Sequence, residues 1–231
     1  MFKFQKYEFP KLGYVKVPRF KIGAESEIRL NLKSGYSSDD LLKALINEKF
    51  LEKVKTNVIS KDKKEDYKKR LQFEVAELSK LKFTDYILLV YGVISFCKEN
   101  GIANGPGRGS AAGSLVLYTL GVTQVDPLKH DLLFERFVSA ARTDIKEIDN
   151  DIYISSASLP DVDIDTQASK KHLINEYLNS CFNNQTCAIC NFSTLQSKVL
   201  LKDVLKTYKR FNEDDAKLVS NLIETKFGKV D

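Results

Sequence analysis

The 231-residue sequence is sparing with the residues that usually announce a function. It has two histidines, four cysteines and five prolines. No stretch approaches the roughly 18 apolar residues that a membrane helix needs, and the apolar run at 87–97 is too short and too central for a span or a signal peptide. It reads as a buried helix. With no secretory signal at the N-terminus, the expected location is the cytoplasm, with reduced thiols. A zinc site needs about four ligands, and only His172 could join Cys181, Cys187 and Cys190. A buried strand over 186–192 would put Cys187 and Cys190 on opposite faces, so buried thiols are expected there rather than metal. Neither His130 nor His172 belongs to a serine or cysteine nucleophile pattern, and His130, just after Asp126-Pro127, reads as a surface turn residue. Internal repeats and low-complexity tracts are absent.

A hydrophobic content of 43% is that of a globular chain. This length can bury one good core, with room for a second helical subdomain. The net charge of +5 permits a polyanionic partner without requiring one. Basic residues gather at two places. Lys61, Lys63, Lys64, Lys68, Lys69 and Arg70 flank one helix start. Lys198, Lys202, Lys206, Lys209 and Arg210 recur at three- and four-residue spacing along another helix. Such a row is either a solvated face or a contact to a phosphate backbone, which gives affinity without sequence specificity.

The pattern divides the chain into an extended leader over 1–35 with short strands, a central domain over 36–192 and a helical region over 193–231. Helices are expected at 37–58, capped by Ser37 or Ser38, and at 62–80, 84–99, 111–120, 168–181, 194–209 and 212–227. Strands are expected in a hairpin around 143–158, over 159–165 and over 186–192.

Two segments carry chemistry. Residues 105–114 read Gly-Pro-Gly-Arg-Gly-Ser-Ala-Ala-Gly-Ser and lead into an apolar helix. The glycines allow tight turns and close approach to a ligand. Ser110 and Ser114 are candidate caps. Free amide N–H groups and the positive end of the helix would face one point, a phosphate site, with Arg108 adding a cationic fork. The spacing is neither that of a P-loop nor that of the dinucleotide fingerprint. The second segment, 159–165, reads Leu-Pro-Asp-Val-Asp-Ile-Asp. As a strand it would place Asp161, Asp163 and Asp165 on one face, with Val162 and Ile164 on the other. Carboxylates so close need a counter-charge, which two divalent cations such as Mg²⁺ would supply. An EF-hand is excluded, because Thr166 stands where its glycine would be and His172 where its glutamate would be. A solvated acidic edge strand would give the same alternation. A phosphate loop and a paired-carboxylate strand in one domain point to phosphoryl or nucleotidyl transfer.

The ordered set 105–116, Asp126-Pro127, Leu132-Leu133-Phe134-Glu135-Arg136-Phe137 and Pro160–Asp165 closely resembles the C-family bacterial replicative polymerases, the alpha subunits of DNA polymerase III. Phe83-Thr-Asp-Tyr86 and Lys98-Glu-Asn-Gly-Ile102 extend the likeness upstream, and Cys190–Lys198 extends it downstream. The resemblance implies an α+β fold: a polymerase-beta-like nucleotidyltransferase palm with flanking helices and the start of a helical thumb. It implies Asp161 and Asp163 as catalytic metal-binding residues. Asp165 comes after them as a third ligand or as support for its neighbours. Gly107, Arg108, Gly109, Ser110, Arg136 and Arg142 are implied to bind the nucleotide. The cofactor would be two Mg²⁺ ions, and the partners primer-template DNA and deoxynucleoside triphosphates.

Three departures accompany the resemblance. The family's third catalytic aspartate, in a Lys-Phe-Asp-Phe segment, does not occur here, nor do the fingers or the family's other modules. An insertion over 143–158 comes directly after Arg142 and bears on its assignment. Thr166 replaces an aromatic residue usual after the aspartates. A second polypeptide or a further C-terminal segment would have to complete the site. The other reading is a truncated or repurposed nucleotide- or DNA-binding module without catalysis.

Overall fold

In the computed structural model, residues 13–20, 29–148, 151–155, 159–187, 196–222, 225–226 and 229–230 are described. The chain divides into two compact units, Met1–Thr186 and Cys187–Asp231.

The first unit is built on three helices. Helix α1, Ser38–Lys55, starts with a reciprocal capping box: the Asp40 amide donates to the Ser37 hydroxyl, and the Ser37 amide donates to the Asp40 carboxylate. Its Leu41, Leu42, Leu45, Ile46 and Phe50 face inward. Helix α2, Lys64–Lys80, buries Tyr67, Leu71, Glu74, Val75 and Leu78, a single stripe at helical spacing that includes one acid. Helix α3, Thr84–Glu99, is tied to α1 through its first turn. Thr84 donates to Asp39 at 2.6 Å, and Asp85 accepts from the Ser38 hydroxyl at 2.8 Å and from the Phe20 amide at 3.0 Å. The Phe83–Tyr86 motif is thus largely a joint between helices.

At the centre lies α4, Leu115–Leu120, all six of whose residues are buried. It packs against α1, α2 and α3. A helix apolar on every side is stable only when enclosed, and this one is. It ends at Gly121, whose φ of 74° is the left-handed cap conformation. Lys98 donates to the Gly121 carbonyl at 3.0 Å and closes that end. The expected helix over 111–120 is therefore split. A 3-10 turn spans Gly109–Gly113, and Ser114, extended at φ −96° and ψ 120°, caps α4.

A three-stranded antiparallel sheet flanks the helices in the order β1-β3-β2, from β1 (Tyr14–Lys16), β2 (Ile145–Ile148) and β3 (Asp151–Ser155). The hairpin expected around 143–158 is present, joined by a strand of the leader. Ile154, opposite both Val15 and Ile145, is fully buried in the main core. Helix α5, Lys171–Cys181, packs on α3 over a smaller core of Val93, Cys97, Ile102 and Ile174, with Phe96 and Tyr177 stacked at 4.5 Å.

In the second unit, α6 (Ser197–Lys209) packs on α7 (Glu213–Asn221), and α7 is capped by the Asn212 side chain, which accepts from the Asp215 amide at 2.7 Å. Two expectations change here. Helix α7 stops at Asn221 instead of 227, and Thr225–Lys226 and Lys229–Val230 pair as the antiparallel strands β4 and β5. Only two residues separate these strands in sequence, one of them Gly228, which is a hairpin signal and not a helical one. The basic row of α6 is only partly a free face: Lys198, Lys202 and Lys206 are half-buried and Lys206 pairs with Glu213, while Lys209 and Arg210 are exposed, as are Val199, Leu200, Val204 and Tyr208.

Among the described residues no helix is long and apolar enough to cross a membrane. His130 and His172 are exposed. Cys187 is exposed too, contrary to the expected buried thiol, because the chain at 185–187 forms no strand; Cys190 and most of the expected strand over 186–192 lie outside the described residues.

Leu88 has no solvent exposure in the middle of α3. Leu88→Ala is expected to cost about 2–5 kcal/mol in urea unfolding, since it leaves a cavity where the core cannot collapse. Val58→Ala, at a residue 44% exposed, is expected to change stability by no more than about 0.5 kcal/mol.

Candidate active site

The glycine-rich turn and the acidic segment meet through their backbones. Asn104 and Thr166 form an antiparallel bridge, the Gly105 amide donates to the Asp165 carbonyl at 2.9 Å, and the Gln167 amide donates to the Ala103 carbonyl at 3.1 Å. A Cβ on Gly105 would stand 3.1 Å from Cβ of Asp165, so the two chains touch where glycine permits it. Among the described residues this clamp is the whole of the pairing, and residues 159–165 do not form the expected strand, because no described partner runs beside them beyond Thr166. The alternation acts in part as expected: Val162 and Ile164 pack against the main core and Asp163 and Asp165 turn to the same basic group, but Asp161 makes no ion pair with it.

That group is Arg108. Its Nε lies 3.3 Å from Asp163 Oδ2, and its Nη2 lies 3.6 Å from Asp165 Oδ1. Gly107 and Gly109, at φ 87° and 66°, set the turn that presents it. Asp161 is exposed one step along the segment, over α3. Burial pushes the Tyr86 phenol up to about 12, and the Asp161 carboxylate beside it adds to the shift.

The anion donors differ from those expected. The N-terminus of α4 is already occupied by the carboxylate of Glu74. Glu74 Oε1 accepts from the Leu115 amide at 3.0 Å, and Oε2 accepts from the Val116 amide at 3.0 Å and from the Ser114 hydroxyl at 2.9 Å. The positive end of this helix is thus spent inside the protein and does not face a ligand. What remains open is the start of the 3-10 turn, where the amides of Gly109 and Ser110 and the Ser110 hydroxyl have no partner among the described residues.

Glu74 is itself held by Arg70, whose Nε donates to Oε1 at 2.7 Å. Arg70 Nη2 also donates to the carbonyls of Gly113 and Leu132, each at 3.2 Å. Arg70 therefore leaves the basic cluster at 61–70 and points inward. Burial pushes the Glu74 carboxyl above its ordinary value, opposed by the two amides and the guanidinium. The sequence carried a signal for this pair: an acid inside the apolar stripe of α2, with an arginine one helical turn before it.

Through Leu132 the same brace reaches the next segment. The 3-10 turn Phe134–Arg136 packs on the cradle, and a Cβ on Gly113 would lie 2.6 Å from the Leu133 carbonyl oxygen. Arg136 is exposed on this turn. Arg142 folds back on it, Nη2 donating to the Glu135 carbonyl at 2.6 Å and reaching the Arg136 carbonyl at 3.5 Å. Asp126 anchors the intervening loop: it accepts from the buried Tyr67 hydroxyl at 2.8 Å and from the Leu128 amide at 3.1 Å. A separate groove of about 590 Å³ opens between α1 and α2 over Ile46, Phe50, Leu71 and Val75, and shares no residue with the cradle.

The donor set can be tested against a divalent cation. Among the described residues, no three acidic, histidine or cysteine side chains form a group that could hold a metal ion. Two carboxylates do converge on one positive charge, the Arg108 guanidinium. Mg²⁺ commonly takes only one or two carboxylates from protein and completes its shell with water and phosphate oxygens, so the hard-oxygen set fits in that form.

By class, this is a mixed α+β domain that sets a glycine-rich turn with open amides against a carboxylate segment. A family model described as the bacterial DNA polymerase III alpha NTPase domain matches residues 40–230, and the chain belongs to that family. It is 42% identical over 139 residues to DNA polymerase III subunit alpha of Ureaplasma parvum, covering 60% of this chain and 13% of that protein. It is 40% identical over 145 residues to the Bacillus subtilis subunit, covering 62% and 12%, and 37% identical over 169 residues to that of Helicobacter pylori, covering 71% and 13%. The chain thus spans about an eighth of the length of these relatives.

Replacing Glu74 by Ala would leave Arg70 half-buried without its carboxylate and remove the acceptor from two buried amides. A loss of about 3–5 kcal/mol is expected in urea or thermal unfolding, with a smaller loss for Glu74→Gln, which keeps an acceptor and the side-chain shape.

Proposed function

We propose that this chain is the palm, with the beginning of the thumb, of a replicative DNA polymerase, and that the palm has the polymerase-beta-like nucleotidyltransferase fold. The observation that carries this reading is the juxtaposition of the open Gly109–Ser110 turn with Asp163 and Asp165, in a chain of the DNA polymerase III alpha family. The reaction is attack of a primer 3′ hydroxyl on the alpha phosphate of a deoxynucleoside triphosphate: the new phosphodiester bond forms as the bond to the alpha–beta bridging oxygen breaks, pyrophosphate leaves and the hydroxyl proton passes to solvent. Two Mg²⁺ ions would supply charge neutralisation and alignment of the attacking and leaving oxygens. Asp161 and Asp163 would hold them, with Asp165 as a third ligand or a support. The amides of Gly109 and Ser110, the Ser110 hydroxyl and Arg108 bind the polyphosphate, and Gly107 provides the turn that presents them. Arg136 faces the nucleotide phosphates. Arg142 is a second candidate, and its bonds to the Glu135 and Arg136 carbonyls also support that turn.

The partners are primer-template DNA and deoxynucleoside triphosphates, and the setting is the cytoplasm. The fingers and the third catalytic aspartate come from further polypeptide, in the same chain or another. Alone, this chain binds triphosphate weakly in the presence of Mg²⁺ and does not extend primers.

In a complete polymerase containing this chain, Asp161→Ala or Asp163→Ala is expected to abolish primer extension. Extension retained in either variant overturns the assignment. DNA binding that is salt-dependent, needs no Mg²⁺ and ignores Asp161→Ala would instead identify a binding module without catalysis.

A further inference from the structure

We propose that Arg108 is a charge latch: it neutralises Asp163 and Asp165 until a divalent cation takes those carboxylates, and only then is released to bind phosphate at the adjoining turn. The inference rests on the nucleotidyl-transfer reading of the site.

The geometry places one guanidinium against two carboxylates, Nε at 3.3 Å from Asp163 and Nη2 at 3.6 Å from Asp165. These oxygens are the hard donors that a cation would use, so Arg108 and the cation compete for the same atoms. Its side chain is 62% exposed, and the pairs are held by charge instead of by burial. Exposed pairs of this kind are weak, which makes the latch easy to open. Once a cation sits on Asp163, the guanidinium is repelled from its present position. The anion-binding groups nearest in the chain are the open amides of Gly109 and Ser110, the two residues directly after Arg108. A phosphate held there would receive the freed fork. Cation binding and phosphate binding then favour each other, and by linkage the coupling acts equally in both directions. The latch also lets the acidic segment remain folded when no cation is present, because its charges are never left facing one another alone.

The test uses the chain without nucleotide and counts free Mn²⁺ by electron paramagnetic resonance during titration. Arg108→Gln is expected to bind Mn²⁺ about three- to tenfold more tightly than the wild type, the range that two exposed ion pairs can contribute. Asp163→Asn is expected to lose Mn²⁺ binding. In the absence of metal, Asp163→Asn combined with Asp165→Asn should bind tripolyphosphate more tightly than the wild type, and adding Arg108→Gln should cancel that gain. Arg108 is exposed, so its replacement leaves the core intact, and a thermal melt checks this. Mn²⁺ binding that is lost in Asp163→Asn but unchanged or weaker in Arg108→Gln overturns the latch and leaves the metal site standing. Absence of Mn²⁺ binding in wild type and Arg108→Gln alike overturns the nucleotidyl-transfer reading and the latch with it.

Discussion

The carboxylate of Glu74 sits with no solvent exposure at the N-terminus of α4, where it satisfies two amides and a hydroxyl while accepting from Arg70. A six-residue helix has few internal hydrogen bonds of its own, and most of its end groups would be orphans in an apolar core. Glu74 supplies the missing acceptor at one end, and Gly121 with Lys98 closes the other. Because Arg70 also binds the carbonyls of Gly113 and Leu132, the same charge pair fixes where the cradle ends and where the Arg136 turn begins. The site's position relative to the core therefore depends on one buried ion pair, whose removal would expose several unpaired groups at once.

Within the site the electrostatic problem is the reverse. Acidic groups stand close together near the surface, and the counter-charge is exposed instead of buried. Polypeptide holds Arg108 only through the turn that presents it, and the clamp at Asn104 and Thr166 holds the aspartates only through their backbone. Backbone pairing thus sets the glycine turn against the acidic segment, while the side-chain ion pairs between them stay exposed.

Much of this arrangement was legible in the sequence. The helices at 37–58, 62–80, 84–99 and 168–181 appear close to their expected bounds, because capping residues and apolar periodicity agree there. That a glycine-rich turn and an acidic segment share one domain was legible, but not that Arg108 would turn to Asp163 and Asp165. The strand over 159–165 was not, because alternation reports which side chains are buried and says nothing about whether a partner backbone lies alongside. The anion donors were misplaced for a related reason. Sequence shows that a helix follows the glycine turn, with Ser110 and Ser114 as candidate caps, but not that an acid forty residues before Ser114 has filled its end. In α6 the lysine spacing could not show that Lys198, Lys202 and Lys206 would be half-buried, because burial there depends on what the rest of the unit brings against the helix.

The sheet joins parts of the chain that are far apart in sequence: Tyr14 to Lys16 pair with Tyr153 to Ser155, with the three helices and the cradle lying between. Closing so long a loop is entropically costly until the intervening segments have condensed. Local helical contacts form early, whereas this pairing belongs late in folding. During synthesis the first strand would therefore wait, unpaired, until the hairpin that receives it has left the ribosome. Until then the Ile154 side of the main core would stay open to water.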